Sequence, residues 1–319
     1  MKGVIATAPE RNAAPTARPT PRRVVVKLGT NVIMRADGRV ALGLLCGLVE
    51  SVAALRATGI EILLVSSGAI GLGMERLGLT ERPRDLPLVQ ACAAAGQSRL
   101  MSLYDEAFET MGCRIAQVLL TEDDFRDPVR SDNLRATLRA LLGLGVIPIV
   151  NENDTVSTVE LERPAALDAE MSAQPGVAST ERIFGDNDKL SALLAQHIDA
   201  DLLVLLSDID GLYDRNPAEA GARLIPQVVE IDDAVRGFAH GGNGRGRGGM
   251  ASKLEAARIG MEAGRTVVIA NGRTPRLLER VCAGEAVGTV FLPIVRNSSE
   301  ARVPLRAERL TASGGVNRS

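Results

Sequence analysis

The sequence predicts an α/β protein, a three-layer α/β/α sandwich on an open, mainly parallel sheet. Two observations carry this reading. Short runs of three to six mostly apolar residues recur along the chain, and segments of helical periodicity separate them. Strands covered by helices on both faces read as continuous apolar runs, because neither face meets water. Strands alternating with helices then give a layered fold.

The elements follow in order. Val24-Val25-Val26 is the first strand, followed by a helical pattern over about 39–57. Ile60–Val65 is the second strand, with a helix near 88–110. Ile115–Leu120 is the third, with a helix near 131–143, and Val146–Val150 is the fourth. A helix near 188–198 leads to a strand at Leu202–Leu206, and a helix near 250–263 leads to a strand at Val267–Ala270. Two stretches interrupt the rhythm. Val156–Leu161 and Glu181–Phe184 read as the arms of a hairpin, and 163–180, rich in Ala, Pro, Ser and Gly, reads as an insertion between them. Residues 1–21 are expected to be a disordered extension, with a transit peptide as the alternative. Residues 294–319, with five Arg against two Glu, are expected to be a flexible tail.

Composition excludes several functions. Net charge is −2 and aromatic residues are 2% with no Trp, so neither nucleic acid nor a membrane surface is an expected partner. No apolar run approaches the roughly 18 residues of a membrane span, and no signal-peptide core is visible. Cys46, Cys92, Cys113 and Cys282 lack metal-type spacing and read as buried thiols in a reducing cytoplasm. Only His197 and His240 are available, which argues against histidine-based catalysis or a histidine-ligated metal; His197 reads as a helix residue.

Of 37 basic residues only Lys2, Lys27, Lys189 and Lys253 are lysine. In so arginine-rich a chain, a retained lysine marks a place where a compact ammonium is wanted rather than a planar guanidinium. Lys27 ends a strand, Lys189 follows Gly185-Asp186-Asn187-Asp188, and Lys253 closes a glycine-rich loop.

Ligands of open α/β sheets bind beyond the carboxyl ends of the strands. There the sequence places Lys27-Leu28-Gly29-Thr30, Ser66-Ser67-Gly68-Ala69, Asn151-Glu152-Asn153-Asp154, Ser207-Asp208-Ile209-Asp210 and Asn271-Gly272. The loop from Gly244 to Lys253 opens a helix, and its glycines suit an anion such as phosphate. It is not a Walker A loop, since the chain has no Gly-Lys pair, and its match to G-x-G-x-x-G at Gly244, Gly246 and Gly249 follows no strand. Asp154, Asp186 and Asp188 could ligate a divalent ion, while Asp186 and Asn187 could instead cap the helix that follows. Magnesium carried in by a nucleotide is favoured over a dedicated cage, so no protein metal site is expected.

Nine motifs follow one another along the chain: VVVKLGTNV (24–32), VSSGAIGLG (65–73), AAAGQSRLM (93–101), QVLLT (117–121), Asn133-x-x-x-Thr137-Leu138, PIVNENDTV (148–156), FGDNDKLSAL (184–193), LLSDIDGLY (205–213) and GGMASKLEAA (248–257). In these the chain resembles the amino acid kinase family, in the branch that phosphorylates glutamate. The resemblance implies a kinase domain over 22–293, with a glutamate lobe over about 22–198 and an ATP lobe over about 199–293, acting on L-glutamate and ATP in the first step of proline biosynthesis. Lys27, Lys253 and Asp188 would be catalytic, with Asp188 orienting both lysines. Ser67, Asp154 and Asn187 would bind the substrate, Asp154 facing its ammonium. Lys27, Gly29, Gly68, Ser207, Asp208 and the loop Arg247, Gly248, Gly249, Met250, Ala251, Ser252 and Lys253 would hold ATP with its Mg²⁺. The resemblance further implies a cytoplasmic dimer or tetramer, inhibition by proline and coupling to glutamate-5-semialdehyde dehydrogenase. Alternatives are another acceptor (acetylglutamate or aspartate) and a non-catalytic nucleotide or proline sensor. Arg247 stands where the family often has a small residue, the 163–180 insertion is unusual, and the C-terminal PUA domain of many members is not expected.

Overall fold

A computed structural model describes residues 19–35, 37–156, 187–239 and 249–294. The expected N-terminal extension to residue 18, the 163–180 insertion and nearly all of the C-terminal tail lie outside the described residues.

Among the described residues, eight strands form one sheet: β1 Arg23–Leu28, β2 Glu61–Ser66, β3 Arg114–Leu120, β4 Val146–Glu152, β5 Leu202–Ser207, β6 Gln227–Val228, β7 Thr266–Asn271 and β8 Thr289–Phe291. Their order is β3-β4-β2-β1-β5-β7-β8-β6. All the pairings are parallel except β7 with β8. The six longer strands are those the apolar runs predict. The short β6 and β8, two and three residues long, fall below what periodicity can resolve.

Ten helices are described: α1 Thr30–Ile33, α2 Leu42–Ala57, α3 Ala69–Arg76, α4 Leu86–Glu109, α5 Asp123–Arg126, α6 Pro128–Gly143, α7 Asn187–His197, α8 Asp233–Phe238, α9 Met250–Glu262 and α10 Leu277–Cys282. The start of α6 shows how sequence sets a boundary. Pro128 supplies a helical φ at the first position, and the Asp127 carboxylate accepts from Arg130 N at 2.8 Å. Sequence reading missed α3, whose Ala-Ile-Gly-Leu-Gly carries two poor helix formers.

Alternate residues of each strand enter opposite cores, which produces the expected three layers. Val24, Val26 and Leu28 of β1 pack with Val49 and Val52 of α2 and with Leu100 and Tyr104 of α4. Val25 faces Leu190 and Leu194 of α7 and Leu254 and Ala257 of α9. Lys27 shares the parity of Val25, so its side chain rises among α7 and α9. Three of the four cysteines are buried as expected, but Cys46 is exposed, because its position on α2 faces solvent rather than the sheet.

α3 and α4 approach backbone to backbone. A Cβ on Gly96 would run into the Ala69 carbonyl oxygen, and one on Gly73 into that of Cys92. This contact fixes α4, and with it Gln97 and Tyr104, against the β2–α3 turn. That turn needs Gly68, whose φ of 105° lies in the left-handed region where other residues are strained.

Candidate active site

The strand order reverses about β1: β2 lies on one side of it and β5 on the other. Such a reversal opens a crevice at the carboxyl end, the usual ligand position of this class. Lys27 lies there. Its Nζ is 2.7 Å from Asp188 Oδ1, and Lys253 Nζ donates to Asp188 Oδ2 at 3.1 Å. The three side chains come from β1, α7 and α9, and are 4%, 0% and 7% exposed for Lys27, Asp188 and Lys253.

One carboxylate thus faces two ammoniums, leaving the cluster one positive charge in excess. Burial pushes the Asp188 carboxyl upward, but Lys27 and then Lys253 more than offset this, so its pKa falls below the ordinary 3.8. The Asp188 carboxylate is therefore charged at neutral pH. Two cations on one carboxylate is the wrong occupancy for a metal ligand, and no metal-type group of His, Cys, Asp or Glu occurs among the described residues. The arrangement is built to meet anionic oxygens.

Next to Asp188 on α7, Asn187 does not use its side chain as a helix cap, the alternative its position allowed. Its Nδ2 reaches over the sheet end to Ser67 Oγ at 2.9 Å, Ser66 O at 3.3 Å and Asn151 Oδ1 at 2.9 Å. Asn151 Nδ2 continues to Gln97 Oε1 at 2.9 Å. The relay ends at a cavity of about 570 Å³ between α4, β3 and the turn after β4, lined by Gln97, Ser98, Asp105, Glu152, Asn153 and Asp154 among others. That volume is typical of small-molecule sites, about 300–1,000 Å³. Beneath the relay, Tyr104 shares a 2.9 Å hydrogen bond with Ser66 Oγ, and burial pushes its phenol well above the usual range.

On the other side of β1, a Cβ on Gly29 would sit 3.4 Å from Leu206 O and 3.8 Å from Lys27 Nζ, ordinary contact distances, so this turn passes directly beside the lysine. Ser207 Oγ donates to Asp208 at 3.3 Å, and Asn31 Nδ2 bridges from α1 to Asp208 at 3.0 Å. Asn271 donates to Asp210 at 2.9 Å. Gly249 precedes α9, and Met250, Ala251 and Ser252 form its first turn ahead of Lys253. Arg247 and Gly248 lie outside the described residues, as does Asp186.

The structure therefore brings together Lys27, Asp188 and Lys253, links Ser67 to Asn187, and places Asp154 on the cavity. Lys189 stays apart: its charge acts on Glu255 of α9, whose carboxyl is held low first by Arg258. Sequence reasoning placed Asn151 at the end of the fourth strand without giving it a role, and missed Gln97 and Asn31 as site residues. All three lie inside the quoted motifs, yet Gln97 and Asn31 sit within helices and nothing in their spacing singles them out.

Comparisons with known proteins identify the family. The sequence pattern of the amino acid kinase family matches residues 22–271. Among solved structures, carbamate kinase from Giardia lamblia bound to AMP-PNP superposes with a TM-score of 0.57 at 17% identity, covering 86% of this chain and 99% of that one. T. acidophilum isopentenyl phosphate kinase gives 0.55 at 16%, covering 84% and 99%. At such identities these show the shared fold. The chain belongs to the amino acid kinase family. Within it, the chain is similar to glutamate 5-kinases: 48% identical over 270 residues to that of Gloeobacter violaceus (84% of this chain, 68% of that one) and 43% over 272 residues to that of Lactiplantibacillus plantarum (85% and 96%). That of Myxococcus xanthus is 44% identical over 301 residues, 94% of this chain and 74% of the other.

Proposed function

We propose that the chain transfers the γ-phosphoryl group of ATP to the side-chain carboxylate of L-glutamate, giving L-glutamyl 5-phosphate and ADP, as the first step of proline biosynthesis. The observation that carries this is the buried Lys27–Asp188–Lys253 cluster, linked through Asn187 to a cavity that holds Asp154.

In the reaction, a carboxylate oxygen bonds to the γ-phosphorus as the bond to the ADP oxygen breaks. The nucleophile is already ionised at neutral pH, so no general base is required, in keeping with the shortage of histidine. The difficulty is to bring one anion up to another. Catalysis then comes from positioning and from neutralising charge on the transferring group. Lys27 and Lys253 supply that charge from β1 and α9, and Asp188 sets their separation. Because both ammoniums are already dehydrated and aimed, little reorganisation accompanies the reaction.

Ser67, Asn187 and Asp154 bind the acceptor. Gly29, Gly68, Ser207, Asp208 and the loop 247–253 bind the nucleotide, whose Mg²⁺ arrives with the phosphates. Assembly as a dimer or tetramer, a cytoplasmic setting, inhibition by proline and hand-over of the labile product to glutamate-5-semialdehyde dehydrogenase belong to the same proposal. Trapping the acyl phosphate as a hydroxamate, with Mg-ATP and a panel of glutamate, aspartate and acetylglutamate, tests it. Turnover of glutamate above the others is expected. Background activity on glutamate alongside turnover of another acid would overturn the substrate assignment.

A further inference from the structure

The amide relay has a direction, and two backbone groups dictate it. The Ser66 carbonyl can only accept, so Asn187 must turn Nδ2 toward it. The Glu152 amide N–H can only donate, and it reaches Asn151 Oδ1 at 2.9 Å. Asn151 Oδ1 therefore also receives Asn187 Nδ2, and Asn151 Nδ2 must donate to Gln97 Oε1. A flipped Gln97 would set one NH₂ group against another. Gln97 Nε2 is thus the free donor end of the relay. It is buried and, among the described residues, has no hydrogen-bond partner, while its side chain lines the same cavity as Asp154. A buried unpaired donor is costly, and a ligand that brings an acceptor atom removes the cost.

The layering says which acceptor. Lys27 rises on the face covered by α7 and α9, whereas Gln97 belongs to α4 on the opposite face. An amino acid with its reacting carboxylate at the lysines spans the sheet end and offers its other end to the cavity. We infer that Gln97 is a further substrate-binding and specificity residue: its Nε2 donates to the α-carboxylate of the acceptor while Asp154 takes the α-ammonium. This rests on the amino-acid phosphorylation proposed above and assigns a reader for the substrate's non-reacting acid group. Close packing of Gly96 against Ala69 holds the reader in place.

The test compares L-glutamate with its α-amide, which keeps the side-chain carboxylate and loses the α-anion. Binding of each is measured by calorimetry without nucleotide, alongside KM and kcat, for the wild type, Gln97→Met and Gln97→Glu. Removing a hydrogen bond to a charged group should weaken glutamate by about 10–100-fold in Gln97→Met, weaken the α-amide less, because its neutral carbonyl oxygen accepts a weaker bond, and raise KM more than it lowers kcat. Gln97→Glu should weaken glutamate further and shift preference toward the α-amide. Parallel losses for both ligands, or none for glutamate, would overturn the inference. If neither variant folds, the wild type decides: equal affinity for glutamate and its α-amide overturns it. If the wild type takes a different amino acid, the glutamate assignment fails alone, and Gln97 is tested with that acid and its α-amide. A wild type that binds no amino acid overturns both.

Discussion

Replacing Asp188 by Asn tests the logic of the cluster, because it removes one charge and almost no volume. In the wild type each ammonium lies about 3 Å from a carboxylate oxygen. At an effective dielectric of about 20, each attraction is of order 5 kcal/mol, most of it offset by desolvation. Removing one member of a buried ion pair costs about 3–5 kcal/mol, because the other charge stays buried and unpaired. Here two ammoniums are stranded, so Asp188→Asn should lose at least about 3 kcal/mol of stability. Its kcat should fall by about 10²-fold, as for loss of a preorganised electrostatic group. The same excess of positive charge should favour a polyphosphate, so the rise in melting temperature on adding ATP should be larger in the variant than in the wild type. Thermal unfolding with and without ATP, together with the hydroxamate rate, reads all three. Wild-type stability and kcat in Asp188→Asn would refute the reasoning. In the wild type this contribution is fully present above the ordinary carboxylate value of 3.8 and is lost only as pH falls through the lowered folded pKa.

Lys27→Ala and Lys253→Ala should each lower kcat by about 10²-fold or more, and Lys253→Arg should also be impaired, because a planar fork does not fit where a point charge is held; steady-state kinetics at saturating substrates decide this. Gly96→Ala drives a methyl into the Ala69 carbonyl, so it should cost about 3 kcal/mol and lower Tm by about 6–12 °C in a thermal melt. His197 is kept neutral: burial lowers its pKa below 6.5, against the opposing hydrogen bond to Ser131 O. The unfolded chain takes up the proton first, so stability should fall as pH drops below about 6.5 toward the lowered folded value, and His197→Gln should flatten that slope in unfolding curves measured from pH 7.5 to 5.

Much of this molecule could be read from its residues, for definable reasons. Central parallel strands buried on both faces announce themselves as apolar runs, as β1, β2, β4, β5 and β7 do, and the edge strand β3 stays legible because only Gln117 interrupts its apolar residues from Ile115 to Leu120. The strands β6 and β8 carry too few residues for any period, and α3 is held by tertiary packing of Gly73 and Gly96 rather than by propensity. Lys27 and Lys253 stood out because arginine replaces lysine nearly everywhere else. Gln97 did not, because its meaning depends on the direction of a hydrogen-bond relay joining α7, β4 and α4, residues up to 90 positions apart. Cys46 misled because composition cannot say which face of a helix meets water.

The central claim is that these residues transfer a phosphoryl group to the side-chain carboxylate of glutamate. The most direct measurement is hydroxamate formation by the purified wild-type chain with Mg-ATP and L-glutamate, with Lys27→Ala as the control. The account predicts an acyl phosphate formed in step with ADP and lost in the variant. Release of ADP without hydroxamate, or equal hydroxamate from both proteins, would contradict it.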